Sequence, residues 1–193
     1  RHDEVNKNAD LAKHAINSMT YILKKFIDAP AISHIEPQKE LIKFRSKYKD
    51  NKIMIEDIVA FNNQKILHKH IGDIIIDAYK KDNPQEQSIW TSDISRLNYI
   101  IKEIIGNKNI WNVDKKGLKT KEYIIKPITN HIKENCLDRL NSVPFEIKNE
   151  KNHIEYITKL MKDLNKLIIS INEEKLDNQI LKHIAVPLKL DMT

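Results

Sequence analysis

The chain has few of the residues that build disulfide-rich domains or nucleotide-binding loops. It contains one cysteine, Cys136, and three glycines among 193 residues. A single cysteine cannot pair within the chain, which excludes an internal disulfide framework and favours a reducing compartment. The glycines, Gly72, Gly106 and Gly117, are too scattered for a phosphate-cradling loop of the Walker or dinucleotide type. The common nucleotide-binding classes are therefore not expected.

Long apolar runs are also missing. No run approaches the ~18 residues of a membrane span, and none resembles a secretory signal. We therefore expect a soluble, intracellular chain that is neither secreted nor bound to a membrane. The sequence opens on Arg1 and enters a helical pattern at once. This predicts further residues upstream, which would carry part of the function.

Arginine is scarce although the chain is basic. The formal charge is +6 and the isoelectric point is near 9.2, which favours anionic partners such as nucleic acids. However, only four residues are arginine, and lysine, isoleucine and asparagine dominate, as AT-rich coding alone would produce. Base-specific contacts rely largely on arginine. The charge therefore suggests phosphate binding only weakly and argues against sequence-specific DNA reading.

No set of residues predicts catalysis or metal binding. His68 and His70 would lie about 200° apart on a helix and could not share a metal ion. Cys136 with a distant histidine is the minimum for a thiol nucleophile, but a buried helical cysteine is the better interpretation. Glu173 and Glu174 have no apolar surroundings to tune them. We therefore expect no enzyme, cofactor, metal or small-molecule substrate.

The two ends of the chain have the strongest helical periodicity. Near the start, apolar residues alternate in steps of four and three, at Val5, Ala9, Ala12, Ile16, Met19, Leu23 and Phe26. This seam predicts a helix that either packs on the domain or ends an upstream coiled coil, and it stops before the stretch from Pro30 to Pro37. A second seam comprises Ile154, Ile157, Met161, Leu164, Ile168 and Ile171, with a further helix over 176–184.

Between these seams, the pattern predicts helices with one small β-hairpin. The basic stretch 39–52 reads as a short helix and loop, and two helices follow over 53–63 and 65–80. A helix is expected over 92–105, closed by Gly106. Residues 109–113 and 118–120 predict paired strands joined by a turn at 114–117. The next helix would begin with Thr120 as N-cap and kink or restart at Pro127.

The hairpin is the only predicted element with a plausible binding role. Lys115, Lys116, Lys119 and Lys121 cluster on or beside its turn, and Arg96 lies on the exposed face of the preceding helix. A helix followed by a basic hairpin is the order of parts in a winged helix, where the wing contacts phosphate. The alternative is a hairpin that covers the helical core with Trp111 while its lysines stay in water.

The segments QEQSIWTSDISRLNYIIKEI and WNVDKKGLKTKEYIIKPITNHIKE resemble uncharacterised proteins of amoeba-infecting giant DNA viruses, the mimivirus relatives. NKNADLAKHAINSMTYILKKFIDAPAI and HKHIGDIIIDAYKKDNP fit the same pattern, so the resemblance covers most of residues 3–140. Members often carry a zinc-finger-like unit and a coiled coil upstream. The resemblance implies that residues 5–26 join such a coiled coil to a C-terminal domain, in the host cytoplasm at a viral factory or in the virion. The finger's metal ligands do not occur in this sequence.

The predicted fold is a mainly α, helical domain with one small β-hairpin, winged-helix-like in order and flanked by long amphipathic helices. Residues 1–30 would form the amphipathic helix, 31–142 the domain, and 143–193 C-terminal helices that pack on the domain or a partner. The leading functional hypothesis is a non-enzymatic module that binds the phosphate backbone of DNA or RNA through Lys115, Lys116, Lys119, Lys121 and Arg96. The alternative is a scaffold that self-associates through its heptad helices or holds another viral protein.

Overall fold

The computed structural model describes residues 2–40 and 51–193 and is mainly helical with a small antiparallel sheet, as the sequence predicted. Most of the predicted helix and loop at 39–52 lies outside the described residues. The described helices are α1 (His2–Lys25), α2 (Pro37–Glu40), α3 (Asn51–Asn63), α4 (Leu67–Tyr79), α5 (Leu118–Thr120), α6 (Lys126–Ser142), α7 (Lys151–Asn172) and α8 (Lys175–Ala185). None of them is both long and apolar enough to cross a membrane.

The chain forms two compact units, each built from segments that are distant in sequence. The sheet unit comprises residues 1–33, 75–120 and 184–193. The helical unit comprises residues 34–74 and 121–183. The domain boundaries at 30/31 and 142/143 stay predictions.

The sheet has three antiparallel strands, β1 (Ile89–Asp93), β2 (Asn98–Ile105) and β3 (Lys108–Asp114), in the order β1-β2-β3. On its outer edge, β1 also forms a parallel bridge between Thr91 and Lys189. The N–H of Thr91 donates to the carbonyl of Leu188 at 2.8 Å, and the N–H of Leu190 donates to the carbonyl of Thr91 at 2.9 Å. The last residues of the chain thus complete the sheet unit.

The predicted helix over 92–105 and the predicted strand over 118–120 are both wrong. Residues 98–105 form the central strand, and residues 118–120 are helical. Gly106 ends no helix, because Gly106 and Asn107 form the two-residue turn between β2 and β3 with φ of +53° and +66°. Positive φ at both positions suits a hairpin turn that matches the twist of its strands. The observed hairpins span 89–105 and 98–114, so the predicted order of a helix over 92–105 followed by a hairpin over 109–120 does not occur.

The core of the sheet unit lies between α1 and one face of the sheet. Phe26 stacks on Trp90 with ring centroids 5.1 Å apart, and Trp111 is 6% exposed. The indole N–H of Trp111 donates to the carbonyl of Phe26 at 3.0 Å. Ile22 and Ile100 complete this contact. The prediction that Trp111 faces the helices rather than solvent agrees with this arrangement.

The predicted helix at the start of the chain is present, but a different face of α1 packs on the sheet. Ser18 and Ile22 are buried, with Phe26 just beyond the helix. Most of the predicted seam is exposed, at Val5, Ala9, Ala12, Ile16 and Leu23. We call these five residues the outer stripe. Helix α1 therefore has two apolar faces, of which the fold covers one.

The helical unit packs α7 against α3 and α6. The second predicted seam is largely buried, at Ile157, Leu164, Ile168 and Ile171, whereas Ile154 is exposed. Before α6, residues Lys121–Ile125 form a π-helical turn, and the regular helix restarts at Lys126. Pro127 then lies in the first turn of α6, where its missing N–H is tolerated. The predicted restart beside Pro127 thus agrees with the structure.

Candidate nucleic-acid interface

Three of the five predicted phosphate contacts lie at one end of the sheet. Arg96 is in the β1–β2 turn, and Lys115 and Lys116 directly follow β3. The antiparallel register brings these segments together, because Tyr99 near the start of β2 pairs with Asp114 at the end of β3. Arg96, Lys115 and Lys116 are all exposed. We call these three residues the basic end.

The β1–β2 turn is fixed by Asp93. Its Oδ1 accepts hydrogen bonds from Ser95 Oγ at 2.7 Å and from the backbone N–H of Arg96 at 3.1 Å. Burial acts to raise the pKa of Asp93, but these hydrogen bonds and the Arg96 charge outweigh it and hold the pKa below its usual value. The guanidinium Nη1 lies 3.8 Å from Asp93 Oδ2. The Arg96 side chain is 44% exposed and that of Asp93 is 17% exposed, and at this distance the pair contributes little stability.

The turn after β3 is held by two side chains of the sheet. The N–H of Lys116, which has a φ of +57°, donates to Asn98 Oδ1 at 3.0 Å. Buried Asp114 accepts from the N–H groups of Lys119 and Thr120 at 2.9 and 2.8 Å, and from Thr120 Oγ1 at 2.7 Å. Thr120 is not the N-cap that was predicted, because residues 118–120 are already helical, and its hydroxyl donates to Asp114. These bonds fix the backbone that carries the two exposed lysines.

Lys119 has an internal role in the sheet unit. Its ammonium lies 2.6 Å from Oε2 of Glu103, whose side chain is only 6% exposed. The same oxygen accepts from Asn112 Nδ2 at 2.8 Å. A carboxylate this deeply buried is costly without a cation beside it. Lys119 therefore balances Glu103 and is not part of the basic end.

Lys121 belongs to the helical unit and is 9% exposed. Its Nζ donates to Asn178 Oδ1 at 3.2 Å and lies 3.8 Å from Glu174 Oε2. Lys126 approaches the other oxygen of Glu174 at 3.2 Å. The structure thus places Lys121 in a partly buried ion-pair network, where its charge is compensated within the protein.

The structure also places His14 of α1 beside Arg96 of the basic end, which the sequence did not suggest. Its Nε2 lies 3.0 Å from the carbonyl of Ser92, so this nitrogen must carry the donated proton. His14, Leu11 and Ala15 of α1 line a small cleft of about 60 Å³ together with Arg96. Since 78 residues separate His14 from Ser92, no local sequence signal could have placed it there.

The described residues offer little for other chemistry. Among them, no group of three His, Cys, Asp or Glu side chains is placed to hold a metal ion. Cys136 is fully buried, and burial raises the pKa of its thiol to about 12, so the reactive thiolate is scarce at neutral pH. The His70 ring stacks on Phe61 with centroids 4.5 Å apart. Packing therefore accounts for both residues.

No protein-family model, curated protein or solved structure matches the chain significantly. The resemblance to giant-virus proteins stays a prediction.

Proposed function

We propose that the chain binds the phosphate backbone of DNA or RNA through the basic end, with little dependence on sequence. The observation that supports this most directly is the meeting of Arg96, Lys115 and Lys116. They come from two turns that lie at one end of the sheet. The backbone N–H groups of Arg96 and Lys116 are hydrogen-bonded within these turns, so binding would mainly order side chains.

Local charge favours an anion at this end. Asp114 is buried and accepts three hydrogen bonds from Lys119 and Thr120 in its own turn. Its carboxylate is therefore satisfied without the side chains of Lys115 and Lys116. Asp93 is the acid beside Arg96, and two local hydrogen bonds occupy its Oδ1. The charges of Lys115 and Lys116 therefore add to the positive charge of Arg96 at this end. Lysine binds phosphate as a point charge, which suits backbone contacts rather than base reading.

We place this activity in a non-enzymatic module of a giant-virus protein, at a viral factory or in the virion. The resemblance of residues 3–140 and the AT-rich residue usage support that assignment. The proposed interface does not include Lys119 and Lys121, because each compensates the charge of a carboxylate of the protein itself.

The test combines Lys115→Glu with Lys116→Glu and measures binding to a fluorescent DNA duplex and to a single strand of mixed sequence. Each neutralised phosphate contributes about −0.9 to the slope of log affinity against log salt for a duplex. We expect the slope of the double variant to be less steep by about 2 units, because two phosphate contacts are lost. The double variant should also lose duplex binding at low salt. Arg96→Glu should act in the same direction.

The matched control is Lys80→Glu with Lys81→Glu, an adjacent pair that is also exposed and also in the sheet unit. It changes the total charge equally but lies outside the basic end. If both double variants weaken binding by the same factor, the general charge of the protein is responsible and the proposed interface is wrong. Lys119 and Lys121 are left unchanged, because their loss would also disturb folding.

A further inference from the structure

The outer stripe of α1 is an apolar surface that the fold leaves uncovered. Val5 is 63% exposed, Ile16 is 65% exposed and Leu23 is 47% exposed, and Ala9 and Ala12 lie between them on the same side. Across residues 2–40 and 51–193, the fold leaves Val5, Ile16 and Leu23 about half exposed or more, whereas Met19, between Ile16 and Leu23, packs against the core of the sheet unit. An exposed apolar stripe on a long helix is typical of a surface that binds another helix.

The order of side-chain sizes along the stripe makes it complementary to itself in one direction. Its first half carries small or slender residues, and its second half carries large ones. In an antiparallel pair, Val5 faces Leu23 of a second copy, and Ala12 faces Ile16. Small residues opposite large ones let two helices interdigitate without voids. A parallel pair would instead place large residues together and alanines together.

The charges of α1 select the same direction. Asp3 and Glu4 lie in the first turn, and Lys24 and Lys25 lie in the last turn. The antiparallel alignment that pairs Ala12 with Ile16 also places Asp3 near Lys25 of the second copy, and Glu4 near Lys24. A parallel alignment would bring like charges together at both ends. Such complementarity chiefly determines register and orientation.

We propose that two copies of this chain associate through the outer stripe of α1, antiparallel and with twofold symmetry. The same patch then serves both partners, as an isologous interface requires. One helix per copy is smaller than a standard interface, so we expect a weak dimer. The pairing uses none of the basic-end residues and is independent of phosphate binding.

Sedimentation velocity over a concentration series tests the surface. Ile16→Asp should raise the dissociation constant by at least about tenfold, because it buries a charge against apolar side chains. Ile104→Asp is the control, since Ile104 is 68% exposed in the same unit but lies on β2. A protein that stays monomeric at millimolar concentration, or a dimer equally sensitive to both substitutions, would overturn the proposal.

Cross-linking tests the direction. A Val5→Cys chain mixed with a Leu23→Cys chain should form the mixed disulfide in preference to either symmetric one. The native Cys136 is buried and does not interfere. Predominance of the two symmetric products would show a parallel pair and refute the antiparallel assignment. Circular dichroism of each variant checks that the fold is retained, which is expected because all substituted positions are exposed.

Discussion

Replacing Trp111 with alanine should destabilise the protein more than any substitution at the basic end. Loss of a buried aromatic side chain costs about 3–5 kcal/mol, including the cavity that it leaves. The carbonyl of Phe26 also loses its indole N–H donor, which adds about 1 kcal/mol. The ammonium of Lys102 lies 5.8 Å from the indole ring, and this cation–π contact adds about 0.5–1 kcal/mol. The expected total is roughly 4.5–7 kcal/mol, a large share of the typical stability of a domain.

Trp111→Phe separates these contributions. Phenylalanine keeps most of the apolar contact but cannot donate to Phe26, so it should cost about 1–2 kcal/mol. Val113→Ala is the control on the same face of β3, where the side chain is partly exposed and the cost should stay below about 1 kcal/mol. Urea unfolding followed by circular dichroism measures all three. A Trp111→Ala variant that loses less than Val113→Ala would refute the assignment of Trp111 to the core.

Three further predictions concern the helical unit. Burial raises the pKa of Asp177, and its buried Oδ1 has no hydrogen-bond partner among the described residues. The ionised group therefore destabilises the fold above its unfolded pKa of about 3.9. Asp177→Asn should increase the unfolding free energy at pH 7 but not near pH 3.5, as measured by urea titration at both pH values. Cys136 should react with an aromatic disulfide reagent only on unfolding, and rapid labelling of the native protein would contradict its burial. Gly72→Ala should destabilise the protein by about 1–3 kcal/mol, although alanine has the better helix propensity. The new methyl group would overlap the ring of His183, whose Nε2 lies 2.8 Å from Asp73 Oδ1. Thermal unfolding measures the loss, and a stabilised variant would show that the ring moves freely.

The long helices could be predicted because their apolar residues recur every three or four positions over many turns. Residues 92–105 have similar spacing, and a helix was the wrong interpretation. The segment from Tyr99 to Ile105 is rich in isoleucine, and its residues 99–103 are buried on both faces of a central strand. A strand covered on both sides has no alternation to distinguish it from a buried helix. The dipeptide Gly106–Asn107 was the local signal of the hairpin.

The candidate site was predictable only in part, for a different reason. The exposed Lys115 and Lys116 could be identified from the sequence because they follow a strand in a turn. Lys119 looks equivalent in the sequence, but Glu103, 16 residues earlier, engages its charge. Pairing of this kind depends on the register of β2 and β3, which the sequence did not predict correctly. The two apolar faces of α1 present the same difficulty, since periodicity does not reveal which face the sheet will cover.

The bridge between β1 and the last residues of the chain affects when the sheet unit can form during synthesis. Thr91 exchanges hydrogen bonds with Leu188 and Leu190, nearly a hundred residues later. A ribosome that has made α1 and all three strands has therefore not yet supplied the final partner of β1. Until residues 188–190 emerge, the backbone groups of that edge are open to strands of other nascent chains. Completion of the sheet unit is thus a late event, whereas every strand of the sheet itself is available much earlier.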